Sequence, residues 1–81
     1  MLNLERNRYS GGLDHIKITG FHDGELNELK SMEHHEAEQK VVEMLNDRNH
    51  GEGTALACGY GIYGLWFDNE AVYLSVGNTC D

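Results

Sequence analysis

The sequence predicts an α+β domain. It expects an antiparallel β-sheet of three to four strands with one helix packed on one face, in the order β-α-β-β. Three observations carry that expectation. A β-branched stretch runs from Leu13 to Phe21, helical spacing extends from Asp23 to about Arg48, and two apolar runs flank Asp68-Asn69-Glu70. The 81 residues fit a single domain, 1–81. A chain of that size buries only roughly 60–65 % of the surface its unfolded form exposes, so its core is thin.

Residues 1–12 read as irregular or weakly strand-like, ending in the turn signal Ser10-Gly11-Gly12. In the stretch that follows, Ile16 and Ile18 share one face, while His15, Lys17 and Thr19 share the other and are expected to face water. Asp23 suits a helix N-cap, and Glu25 suits the positive end of the helix dipole. Leu26 and Leu29 form one apolar patch; His34, Ala37, Val41, Met44 and Leu45 form a second, rotated by roughly a quarter turn. The spacing therefore predicts a break or bend near Ser31, with Ser31 as a cap for a second segment and His34 at the core edge. Asn49-His50-Gly51 supplies the stop.

Thr54 to Asp68 is apolar and punctuated by glycine, with Gly59 and Gly61 placed to bend or split a long strand. Glu70 to Val76 is a strand with Val72, Leu74 and Val76 on one face. Two hairpin registers are possible. One sets Phe67 against Val72, Leu65 against Leu74 and Tyr63 against Val76. The other sets Phe67 against Ala71, Trp66 against Val72, Gly64 against Leu74 and Ile62 against Val76. A one-residue slip turns every side chain over, and the first register is preferred because it groups six apolar residues without a glycine gap.

Composition excludes several function classes. The net charge of −8, with only six Lys and Arg, argues against direct nucleic-acid binding and against docking on anionic lipid. No apolar run approaches a membrane span, and charge enters by Glu5, so a cytoplasmic protein is expected. Gly59-Tyr60-Gly61-Ile62-Tyr63-Gly64 matches the spacing of a dinucleotide loop, but that loop needs a helix after it and a strand-like Leu65-Trp66-Phe67 follows here. Cys58 and Cys80 read as free thiols in a chain with no secretory signal. They oppose each other only in the second register. No zinc motif, nucleophile–base pair or buried carboxylate pair is signalled, so no catalytic residue, metal or cofactor is expected.

The acidic helical stretch is the best functional signal. Residues 23–47 hold eight acids against Lys30 and Lys40, a local charge of −6. Glu25, Glu28, Glu36 and Glu43 fall on one side of a single helical wheel, opposite most apolar residues. Such a row can imitate phosphates and be steered to a basic groove, although any amphipathic helix also needs a polar outer face. Tyr60, Tyr63, Trp66 and Tyr73 form a second candidate surface, because a sheet covered on one side leaves aromatics on the other. In size and charge the chain resembles the small acidic proteins with which phages and plasmids block host nucleic-acid enzymes, such as anti-restriction or anti-CRISPR proteins. That resemblance implies a non-enzymatic inhibitor acting by protein contact on a basic partner. The alternatives are a metal- or thiol-dependent regulator using His34, His35, His50, Cys58 and Cys80, and a structural protein that self-associates through an exposed strand.

Overall fold

Long-range pairing of two apolar strands organises the molecule. The computed structural model describes residues 1–9, 13–52 and 61–77, with the backbone only for residues 8 and 9. Its elements are β1 (Asn3–Tyr9), β2 (Leu13–Thr19), α1 (Glu25–Ser31), α2 (His34–Arg48), β3 (Ile62–Phe67) and β4 (Val72–Gly77). The four strands form one antiparallel sheet in the spatial order β1-β2-β4-β3. The fold is thus α+β, but among the described residues its order is β-β-α-α-β-β rather than β-α-β-β.

The additional strand is β1, in the segment expected to be irregular or weakly strand-like. Its signal is thin because only Leu4 is apolar among Asn3 to Arg8. It forms through seven paired positions along β2. The turn signal at residues 10–12 and the glycine-punctuated segment 53–60, with Cys58, Gly59 and Tyr60, lie outside the described residues, as does Cys80.

Rows of paired side chains separate the two faces of the sheet. Leu4, Ile18, Val72 and Phe67 form one row, and Arg6, Ile16, Leu74 and Leu65 the next. Ile16, Ile18, Leu65, Val72, Leu74 and Val76 are buried with Leu29 of α1 and Ala37, Val41, Met44 and Leu45 of α2. Full burial of each large aliphatic side chain contributes about 1.5–3 kcal/mol against a large entropy cost, so this one layer of contacts is the main stabilising term. Asp14 is also fully buried, and its carboxylate accepts from Arg6 at 3.2 Å. A charge cannot be buried cheaply without such pairing.

The predicted break falls where the two apolar patches part. α1 ends at Ser31, and Met32 is extended (φ −81°, ψ 155°). Ser31 does not cap the next helix, since its hydroxyl donates back to the Glu28 carbonyl at 2.7 Å. Glu33 is the cap, accepting from the His35 N–H at 3.2 Å. Asp23 likewise yields the N-cap of α1 to Gly24, whose φ of 84° lies in the region glycine favours. His34 is exposed rather than at the core edge, because it opens α2 a turn before the buried stripe and turns to Glu38 at 3.3 Å.

Two polar clamps hold the helices. Arg48, at the end of α2, makes a bidentate pair with Glu25, at the start of α1, so the helices fold back on one another. Asn49 donates to the Leu2 carbonyl and accepts from the Leu2 N–H, both at 2.9 Å, tying the chain start to the helix end.

The hairpin adopts parts of both registers. Phe67 pairs with Val72 and Leu65 with Leu74, as preferred, across the four residues 68–71. Below Gly64 the register shifts, and Ile62, not Tyr63, opposes Val76. The bulge leaves Tyr63 as the extra residue, 68 % exposed, and delivers the more apolar Ile62 to the core margin.

The Arg48 guanidinium hydrogen-bonded to Glu25 lowers that carboxyl from 4.5 to about 2. A depressed carboxyl contributes stability that is complete above its unfolded value and is lost as pH falls through its folded one. Glu25→Gln is therefore expected to cost about 1 kcal/mol at pH 7, or a Tm drop of roughly 4–8 °C. The gap to the wild type should close between about pH 4.5 and pH 2 in thermal melts followed by circular dichroism. A gap that does not change with pH would remove the pair as its cause.

Candidate functional site

Because the helices cover one face of the sheet, the other face is where alternate strand residues meet. Glu5, Lys17, Tyr73 and Trp66 form a row across all four strands, and Asn7, His15, Ser75 and Gly64 form the neighbouring row. The Trp66 indole stacks on Tyr73, with ring centroids 5.5 Å apart and planes within 6°. It also meets the His15 ring edge-on at 5.0 Å and 76°. That reach is open because the next row carries small residues, Ser75 and Gly64. The cluster is aromatic at its centre and polar at its margins, which is the composition of contact surfaces.

Tyr73 is fixed at both ends. Its ring is held by Trp66, and its hydroxyl donates to Asp68 Oδ2 at 2.6 Å. Asp68 Oδ1 accepts from the Glu70 and Ala71 N–H groups at 2.8 Å, closing the hairpin turn. The Tyr73 hydroxyl, and then the Glu70 N–H, hold the Asp68 carboxyl below the usual range, while the same bond to Asp68 raises the Tyr73 phenol.

The acidic residues lie on the other side of the molecule. The break at Met32 divides them between two helices, so they do not form one row. Glu25 turns inward to Arg48, while Glu28 stays exposed on α1. On α2, Glu36, Glu43 and Asp47 are exposed at i, i+7 and i+11, within about 40° of one another on the wheel, with Lys40 among them. Among the described residues, the helix acids paired with basic side chains are Glu25, with Arg48 and His22, and Glu38, with His34. The stripe spans about 16 Å of helix, over which one duplex strand would present about five phosphates. Three carboxylates are a sparse copy of that.

The expected contact residues therefore separate. Glu28, Glu36 and Glu43 are exposed on the helix layer, Trp66 and Tyr73 lie on the opposite sheet face, and Tyr63 lies at the bulge of an edge strand; Tyr60 lies outside the described residues. Sequence reasoning missed His15, Lys17 and Asp68 as neighbours of the aromatics, since only the β2–β4 register brings 15 and 17 beside 73 and 75. Of the histidines in the metal alternative, His34 meets Glu38 and His35 meets Gln39 at 3.3 Å, while His50 is exposed. Among the described residues no group of three or more His, Cys, Asp or Glu is arranged to hold a metal, and no helix is long and apolar enough to cross a membrane.

No protein family, curated protein or solved structure matches the chain.

Asp68→Asn removes the acceptor charge that holds the Tyr73 proton. The Tyr73 phenol is then expected to ionise at lower pH than in the wild type. Its titration can be isolated as the ultraviolet difference between each protein and its Tyr73→Phe counterpart. Coincident curves would mean that the Asp68 contact does not form in solution.

Proposed function

We propose that the domain is a non-enzymatic binding protein that blocks a basic, nucleic-acid-handling protein by direct contact, in the manner of anti-restriction or anti-CRISPR proteins. The observation that supports this most is the exposed stripe Glu36, Glu43 and Asp47 on α2, with Glu28 also exposed on α1. The net charge of −8 makes approach to a cationic groove fast and orients this side toward it. Because the stripe is sparser than a phosphate backbone, it acts by occupying part of a groove rather than by reproducing a duplex.

A second reading rests on the Trp66–Tyr73 stack. Anchored aromatics are the usual centres of binding energy, and their rigidity lowers the entropy cost of contact. Since the two surfaces are on opposite faces, one flat interface cannot use both. A basic partner is drawn to the helices, whereas a neutral partner would meet the sheet.

The two are separated by capture from nuclease-treated lysate followed by washes at low and high salt. Contact through α2 should recover a basic nucleic-acid-handling protein at low salt and release it near 1 M, where screening acts within about 3 Å. Glu36→Lys with Glu43→Lys should weaken that recovery at least about tenfold without changing Tm, while Trp66→Ala leaves it intact. The opposite pattern would move the interface to the sheet.

A further inference from the structure

The order β1-β2-β4-β3 leaves β3 at an edge, where among the described residues its strand partner is β4. An edge strand carries backbone N–H and C=O groups that can pair with another chain. Proteins blunt such edges with bulges, and β3 has one, but it lies at the Ile62 end. The run from Gly64 to Phe67 keeps regular register with β4.

At the Ile62 end of this edge, next to the bulge, a groove of about 490 Å³ lies between α2 and β3. Val42 and Ile62, both half-buried, form its apolar floor, and His35, Glu38, Gln39 and Glu43 form its walls. A strand edge alongside a helix-walled groove is the geometry that accepts an extended peptide. Main-chain hydrogen bonds supply affinity, and alternate side chains enter the groove.

We propose that this groove binds an extended basic segment of a partner protein, which adds as a strand to β3 and inserts one aliphatic side chain against Val42 and Ile62. The charge of the occupant follows from Glu43 on the rim, with Glu38, which also meets His34, beside it, Glu36 near by on the same helix, and a protein that is −8 overall. The aliphatic anchor follows from the floor. The extended form follows from the edge, whose regular run from Gly64 to Phe67 continues from the Ile62 end of the groove. This inference rests on the proposed function and names the form of the partner's contact.

The probe is a short blocked peptide with Lys and Arg at both ends and Leu at its centre, titrated into the ¹⁵N-labelled full chain at low salt. Its binding should shift the amides of Val42 and of residues 62–67. Replacing the central Leu by Ser should weaken it about tenfold or more, and N-methylation of alternate peptide amides should abolish it. Val42→Asp should also abolish binding; if that variant unfolds, the N-methylated peptide still provides the test. Shifts confined to Glu28, Glu36 and Asp47, indifferent to the Leu and to N-methylation, would overturn the groove while sustaining the acidic helix face. Absence of binding by any of the peptides at millimolar concentration would overturn the groove alone, because the helix-face reading is tested separately with the intact partner.

Discussion

The rest of the molecule depends on the antiparallel pairing of β2 with β4. These strands lie more than fifty residues apart in the chain, yet Ile16 faces Leu74 and Ile18 faces Val72 at the centre of the sheet. Both helices and the hairpin strand β3 belong to the connection between them. Once the pair forms, α1 and α2 must cross one face, and β1 and β3 can only add at the outer edges. The loop-closure cost of such distant pairing is met by the fully buried Ile, Val and Leu side chains it brings together.

That same pairing divides the chemistry of the surface. Alternation along β2 and β4 sends the aliphatic residues to the helices and leaves His15, Lys17 and Tyr73 on the other side, where Trp66 joins them. The covering layer carries the acids, because an amphipathic helix turns its charged residues outward. The result is a domain with an acidic side and an aromatic side. Glu5 and Lys17, in one row of the aromatic side, offset each other in charge, while Glu28, Glu36, Glu43 and Asp47 outnumber Lys30 and Lys40 on the helices. Charge is therefore distributed unevenly between the two sides among the described residues.

Polar contacts that join distant segments give this thin two-layer core its definition. The Glu25–Arg48 pair closes the helices on each other, and Asn49 grips both backbone groups of Leu2. Asp68 fixes a turn and the Tyr73 hydroxyl together. Each satisfies groups that would otherwise lose hydrogen bonds on leaving water, and each restrains a segment that has few apolar residues of its own.

Local periodicity by itself determined the α+β class, the helical span with its interruption near Ser31, and the strands around Ile16 and Leu74. In each, apolar spacing over several residues has one solution that buries them together. It also made the acidity of the helices and the presence of exposed aromatics legible. Only the tertiary structure decided that β1 is a strand, since Asn3 to Arg8 contains little apolar pattern and gains its order from β2. It likewise decided that Ile62 displaces Tyr63 at the bulge, that Glu25 belongs to Arg48 rather than to a surface row, and that the acids and aromatics lie on opposite faces. Those outcomes depend on which distant segment arrives as a neighbour, and the period of a single segment holds no information about its partner.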